Sequence, residues 1–255
     1  MPSLNNHNLY SDDQSWIGFH QWLAGLIDGT GCFLCSYSGY ACLEITMDIR
    51  DRWALQIIQN VYGGSIKFRS GLSALRYRLH DQEGLLNLIH DVNGEIRNPI
   101  RLIQLNYICI KYDIALKYPE KLTLDNGWFS GFFDADGTID INNCNWQLSI
   151  SVGQGKNFSY EILTPLVEVF GGYVYIYIGA GGLGSFKWYL TKKDDILNFI
   201  QYFQKYPSRS VKSIRLNLVL QFYELKGMNA HIAPWGSLLA RSWNTFINKW
   251  WNKDE

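Results

Sequence analysis

The 255-residue sequence has no surplus of either charge: 23 Lys and Arg balance 23 Asp and Glu, for a formal net charge of zero. A protein that grips a nucleic-acid duplex ordinarily carries a basic excess to neutralise phosphates, so such a function here needs a local patch. Cysteine is sparse and odd in number: Cys32, Cys35, Cys42, Cys109 and Cys144 show no framework spacing. That excludes a disulfide-stapled scaffold and reads as reduced thiols in a reducing compartment. Cys32 and Cys35 form a C-x-x-C, but no second pair or histidine partner follows at zinc spacing, which favours a structural role. No apolar run reaches bilayer-spanning length, so no membrane partner is expected. The first 15 residues are polar and acidic rather than Arg-rich, unlike a secretory signal or transit peptide, and read as a disordered lead-in.

Aromatic residues are plentiful, with 10 Trp, 16 Tyr and 13 Phe. Core and rim packing accounts for most of them. The more informative feature is self-similarity. Trp22-Leu23-Ala24-Gly25-Leu26-Ile27-Asp28-Gly29-Thr30-Gly31 matches Trp128-Phe129-Ser130-Gly131-Phe132-Phe133-Asp134-Ala135-Asp136-Gly137, an offset of 106 residues. Gly63-Gly64 matches Gly171-Gly172 at 108, and Arg76-Tyr77-Arg78-Leu79 matches Lys187-Trp188-Tyr189-Leu190 at 111. Small increments of this kind arise when loops gain residues and elements do not.

Each copy has the same order of elements, from 3.6-residue spacing for helices and alternation bounded by Gly and Ser for strands. A short helix carries the Gly-x-x-Asp segment. Two strands follow (32–37 and 41–48; 138–141 and 146–152), then a helix (52–62; 160–170) and a second hairpin (65–69 with 75–80; 173–178 with 186–190). Two helices close each copy (83–93 and 99–117; 193–206 and 210–226). The copies span 16–117 and 127–228, joined by a polar linker at 118–126 that contains Pro119. In the tail, 229–255, residues Leu238, Leu239, Trp243, Phe246, Ile247 and Trp250 fall at helical spacing. An amphipathic helix packed back on the body is expected, with a docking face for a partner as the alternative.

The segments 22–31 and 128–137 resemble the LAGLIDADG signature, and the αββαββα order resembles that family's repeat over almost the whole chain. The resemblance implies an α+β fold, a monomer built as a pseudo-dimer: two pseudo-symmetric repeats with saddle-shaped antiparallel sheets and the motif helices at the central interface. Gly25 and Gly131 let the two helix backbones approach closely, and Gly31 and Gly137 let the chain turn into a strand. The residue just before each of those last glycines then meets its counterpart at the helix C-terminal ends. Two close carboxylates there repel unless a divalent cation binds between them, an arrangement suited to Mg2+-assisted phosphodiester hydrolysis.

The copies differ at that position. Asp136 occupies it in the second motif and Thr30 in the first. Asp28 and Asp134 lie two residues earlier, about 200° round the helix, and read as structural groups bonding backbone or hydroxyls. The resemblance also implies a polar residue on each second strand and a basic residue on each last helix. Copy two has Gln154 and Lys212 there; copy one has Met47 and Arg101. Methionine cannot orient a water, so copy one keeps only Arg101.

The family's hairpins lie in the major groove. In copy one, Lys67 and Arg69 alternate with Ile66 and Phe68, and Arg76 and Arg78 alternate with Leu75, Tyr77 and Leu79. One face then carries four cations with no acid interspersed, as phosphate and base reading requires. In copy two, Tyr173, Tyr175 and Tyr177 alternate with Val174, Ile176 and Ile178, and the returning strand offers Lys187 and Tyr189. The glycine-rich connection at 179–185 reads as flexible. Tyrosines can stack on unpaired bases or meet a protein, but they neutralise no phosphate.

The expectation is a homing-endonuclease-type nucleic-acid-binding protein, its family chemistry being metal-dependent cleavage of both strands of a long DNA site, impaired by Thr30. The alternative is an inactive descendant: an RNA-binding maturase of a group I intron, or a component of an organellar ribonucleoprotein such as the mitochondrial ribosome. Nicking through Asp136 alone is a third possibility. The resemblance implies a mitochondrial setting, with chloroplast as the alternative, and an organelle-encoded gene.

Overall fold

The computed structural model describes residues 13–36, 39–155, 159–178 and 184–251; the side chains of 13, 14, 159, 177 and 178 are not described. Copy one runs α1 (Asp13–Thr30), β1 (Gly31–Cys35), β2 (Ala41–Asp48), α2 (Arg52–Tyr62), β3 (Ser65–Phe68), β4 (Ala74–Leu79), α3 (Gln82–Val92) and α4 (Pro99–Lys111). Copy two runs α5 (Trp128–Asp136), β5 (Gly137–Asn142), β6 (Gln147–Gly155), α6 (Ser159–Phe170), β7 (Tyr173–Ile178), β8 (Gly184–Leu190), α7 (Lys193–Lys205) and α8 (Lys212–Gly227), followed by α9 (Leu238–Trp251). The sheets have matching orders, β1-β2-β4-β3 and β5-β6-β8-β7, with every pairing antiparallel.

Polar punctuation starts the helices where the pattern places them. The Asp81 carboxylate accepts from the Gly84 N–H at the head of α3, and Asn98 accepts from Ile100 N–H ahead of Pro99 at the head of α4. Both are N-caps that satisfy otherwise orphaned donors. The glycine pairs at 63–64 and 171–172 all hold positive φ, between 76° and 86°, so the turn from α2 into β3 is repeated between α6 and β7.

Three expectations need correction. The helix α1 begins at Asp13, inside the stretch read as a disordered lead-in; residues 1–12 lie outside the described residues. The helix α4 ends at Lys111, six residues before the periodicity suggests. Asp113 there adopts φ 53°, and Ile114 N–H donates back to Cys109 O, closing the helix end. Aspartate fills the left-handed position that glycine usually takes. The freed chain is held by Asn93, which donates to Ala115 O and accepts from Lys117 N–H. Third, Gly31 and Gly137 are not in the left-handed region; Gly137 is extended, with φ −72° and ψ 151°. What requires glycine is space. A Cβ on Gly31 would lie 2.7 Å from Ile27 Cα, and one on Gly137 would lie 2.2 Å from the Phe133 ring. The connection expected to be flexible lies, over 179–183, outside the described residues.

The core is continuous across the copies but differs in character. Copy two packs Phe129, Phe133, Phe170, Trp188, Phe199 and Phe203 in a cluster of edge-to-face and tilted rings, whereas copy one buries chiefly Leu and Ile. The tail packs back as expected: Trp243, Phe246 and Trp250 are buried, with Trp243 and Phe246 against Phe222 of α8. Leu238, read as part of the apolar stripe, is exposed. Among the described residues no helix is long and apolar enough to cross a membrane.

Candidate nucleic-acid interface and metal site

Helices α1 and α5 cross at their glycines in main-chain contact. A Cβ on Gly25 would sit 1.8 Å from Trp128 O, and one on Gly131 would sit 1.7 Å from Trp22 O. This reciprocity is the mark of a pseudo-twofold axis. The two motif aspartates extend it. Asp28 accepts from the Trp128 indole N–H at 2.7 Å, and Asp134 accepts from the Trp22 indole N–H at 2.9 Å. Each aspartate also fastens the start of its own copy's closing helix. Asp28 accepts from Arg97 N–H; Asp134 accepts from Arg209 N–H and from the hydroxyls of Ser208 and Ser210. Both carboxylates are buried structural groups, as read, but the cross-copy indole partners were not foreseen. The signal was present in sequence: each motif begins with Trp and has Asp six residues on.

Complete burial raises the Asp28 carboxyl from 3.8 to about 7, against hydrogen bonds that pull it down. The native state therefore keeps a proton that the unfolded chain releases at lower pH. Stability from this residue is full below about pH 4 and falls as pH rises toward 7. We expect Asp28→Asn, which preserves an acceptor for Arg97 and Trp128, to flatten that decline, at about 1.4 kcal/mol per pH unit titrated. Urea unfolding at several pH values from 4 to 8 measures it; an unchanged slope in the variant would overturn this account.

At the C-terminal ends of the crossing helices the copies part company. A Cβ on Gly29 would lie 2.3 Å from Ala135 Cβ and 3.0 Å from Asp136 Oδ2, so Asp136 lies across the helix crossing from the residue before Thr30. Asp136 accepts from the Gln154 amide at 2.5 Å. Burial raises its pKa, while Gln154, Lys212 and Arg101 pull it down. Thr30 Oγ1 instead donates to Thr46 O on β2 at 2.5 Å. The register aligns the strands: Gly31 faces Ile45 as Gly137 faces Val152, so Met47 is the counterpart of Gln154. Met47 is buried.

Lys212 lies close to Asp136, but its ammonium is engaged elsewhere. Its Nζ donates to Phe133 O, Asp134 O and Ala135 O at 2.7–3.1 Å, capping the last turn of α5. Burial lowers its pKa, and the nearby carboxylates oppose this. A cation at a helix C-terminus is well placed against the orphan carbonyls and the macrodipole. Arg101, expected to be its counterpart, donates to Gln104. The helix starts align one residue differently: Arg97 and Arg209 N–H meet the matching aspartates, and Ile100 N–H is capped by Asn98 as Lys212 N–H is by Ser210, which sets Ile100 against Lys212. Asp51 is a residue that sequence reading missed. It is buried at the head of α2, yet it caps nothing there and accepts from Val211 N–H of the other copy. With Thr30, Met47 and Lys212 it lines a cleft of about 430 Å³ on the copy-one side.

A divalent cation needs several hard oxygen donors carrying charge. Here the second motif supplies one carboxylate, and the first supplies a neutral hydroxyl whose proton is already committed to a carbonyl. Among the described residues no group of three His, Cys, Asp or Glu could hold a metal ion. The residues present therefore do not fit a two-carboxylate Mg2+ site.

On the sheet faces, Arg76 and Arg78 lie on one side of β4 and Leu75, Tyr77 and Leu79 are buried on the other. Lys67 pairs opposite Arg76, and Arg69 follows just past the end of β3 at the hairpin turn. The expectation of an acid-free face fails. Glu44 on β2 stands opposite Arg78 and forms ion pairs with both Arg78 and Arg76. The hairpin in isolation carries no acid; the neighbouring strand supplies one. Phe68, read as the apolar counterpart, is largely exposed. In copy two Lys187 is the one cation among the described strand residues, and Tyr173, Tyr175 and Tyr189 surround it.

Comparison with known proteins agrees with this geometry. Residues 129–223 match the LAGLIDADG endonuclease family. The intron-encoded RNA maturase bI4 of Saccharomyces cerevisiae is 44% identical over 252 residues, 97% of this chain and 38% of that protein. This chain thus spans well under half the length of that relative. The intron-encoded DNA endonuclease ai2b of Dictyostelium discoideum is 37% identical over 238 residues, 90% of this chain and 88% of that protein. The I-LtrWI LAGLIDADG homing endonuclease, in a crystal structure bound to its target DNA, superposes with a TM-score of 0.68 at 15% identity, covering 93% of this chain and 97% of that one. With two motif helices crossing at glycine, two matched four-stranded sheets and relatives of this similarity, the chain belongs to the LAGLIDADG endonuclease family.

Proposed function

We propose that this chain binds structured nucleic acid through its sheet faces and has lost double-strand cleavage. The observation that carries the reading is the asymmetry at the helix ends: Asp136 keeps its Gln154 partner, while Thr30 is bonded to its own strand and Met47 is buried beside it. A cleavage centre for each of two strands needs both halves, and only copy two retains its acid. Asp136, Gln154, Lys212 and Arg101 are the remnant of that centre in this proposal, with Lys212 serving mainly to hold the end of α5. Lys67, Arg69, Arg76, Arg78 and Lys187 are the contacts to the nucleic-acid backbone and bases.

The yeast relative, an RNA maturase 44% identical over 97% of this chain, favours intron RNA over DNA as the partner. The ribosomal alternative draws no support from the fold or from these relatives. A mitochondrial, organelle-encoded setting belongs to the same proposal, supported by the intron-encoded relatives.

The test is a supercoiled plasmid carrying the intron-insertion sequence of the protein's own gene, incubated with Mg2+ or Mn2+. We expect no linear product, and nanomolar-range retention of the intron RNA on filters. Linearisation would overturn the loss of cleavage. Nicked circles that disappear in Asp136→Asn would show that the copy-two half still cuts one strand.

A further inference from the structure

The two sheets present the same positions with different chemistry. Register fixes the correspondence: Glu44 faces Arg78 as Ser151 faces Tyr189, and Ser65 and Lys67 face Arg78 and Arg76 as Tyr173 and Tyr175 face Tyr189 and Lys187. Lys67 is thus replaced by Tyr175, Arg78 by Tyr189, Ser65 by Tyr173, and the counter-acid Glu44 by Ser151. The ion-paired cluster of copy one has become an aromatic cluster in copy two. The rings of Tyr173, Tyr175 and Tyr189 lie 5.9–6.1 Å apart, and the Lys187 ammonium sits 5.9 Å from the Tyr189 ring centre. These rings are on the sheet side opposite the core, since Trp188 and Leu190 are buried between and beyond them; Tyr173 is 51% exposed.

A core role does not explain three tyrosines on the outer side of a sheet. Cross-strand aromatic pairing stabilises the sheet modestly, but it does not call for a ring half open to solvent. Phosphate binding is not the main function of this face either, because Lys187 alone neutralises little. What such a face offers is π-surface with hydroxyl edges and one cation, the chemistry that stacks bases without regard to sequence. In a paired duplex those base faces are already stacked and covered.

We propose that Tyr173, Tyr175 and Tyr189 form a platform for unpaired bases, so that copy one grips paired, phosphate-rich segments and copy two an adjacent single strand. The platform rests on the nucleic-acid reading above but goes beyond it, by assigning different substrates to the two halves. The shared chemistry is the base face, which an RNA loop or a melted DNA strand can both supply.

The test is fluorescence anisotropy of the full chain with labelled 12-nucleotide oligouridylate, 12-nucleotide oligothymidylate and a mixed-sequence duplex, across a salt series. Stacking is worth about 1–3 kcal/mol per base, so Tyr173→Ala with Tyr175→Ala should weaken single-strand binding at least about tenfold. Duplex affinity should change less than about twofold, and the salt slope should hold, since no phosphate contact is lost. Tyr173→Phe with Tyr175→Phe should retain single-strand binding, which separates lost stacking from misfolding. Loss on either single strand supports the platform, and comparison of the two strands identifies its source. Equal losses on duplex and single strand, no loss at all, or an intact chain that binds duplex but neither single strand would overturn the platform alone. A chain that binds none of the three probes would overturn the nucleic-acid reading together with it.

Discussion

Alanine at Gly25 or Gly131 is expected to cost more than about 3 kcal/mol of unfolding free energy each, beyond the usual range for adding one methyl to a packed site. The added carbon would lie 1.8 or 1.7 Å from a main-chain carbonyl oxygen of the opposing helix. A flexible side chain can swing away from such a contact, but a helix backbone cannot. The helices would have to part, and parting them strains the indole–carboxylate bonds of Trp22 with Asp134 and Trp128 with Asp28. For a chain of this size the melting temperature should fall by at least about 6 °C. Gly153→Ala is the control: no atom lies within 4 Å of the added carbon, and stability should stay within about 0.5 kcal/mol of the parent. Urea unfolding of the three variants decides. Either crossing-point variant within about 1 kcal/mol of the parent would mean that the helices do not meet in this way.

Thr30→Asp should convert a chain indifferent to divalent cations into one stabilised by them. The new carboxylate would stand one residue from Gly29, the position Asp136 approaches, and burial already disfavours the charged form of Asp136. Without metal, like-charge repulsion should lower the melting temperature and hold a shared proton to higher pH. With Mg2+ or Mn2+ at about 100 times Kd, linkage contributes about 2.7 kcal/mol, or about 5–10 °C. Calorimetric titration should show binding in Thr30→Asp and none in the parent, and Asp136→Asn added to Thr30→Asp should abolish it. A silent Thr30→Asp titration would mean that copy one has decayed beyond this residue, with Met47 and the cleft beside Asp51 as the places to look.

These two expectations also divide what was legible from what was not. The repeat, the succession of elements along each copy and the starts of α2, α3, α4 and α7 follow from residue spacing and, at α3 and α4, from caps, which are local. So did the loss of the first acid, because Thr30 and Asp136 occupy matched places in matched segments. The early stop of α4 was hidden because aspartate at Asp113 is a weak helix terminator, and the decisive bonds come from Asn93, twenty residues upstream.

The sequence by itself determined the family architecture and the inequality of the two motifs, since both are properties of segments compared with segments. Only the tertiary structure decided how the charged groups are used. Lys212 is turned onto three carbonyls, Asp51 reaches a main-chain N–H of the other copy, and Glu44 neutralises Arg76 and Arg78 from an adjacent strand. The physical reason is range. Periodicity reports which way a side chain points from its own element, whereas the fate of a charge depends on donors and counter-charges within a few ångströms, and here those come from residues 34 to 160 positions away.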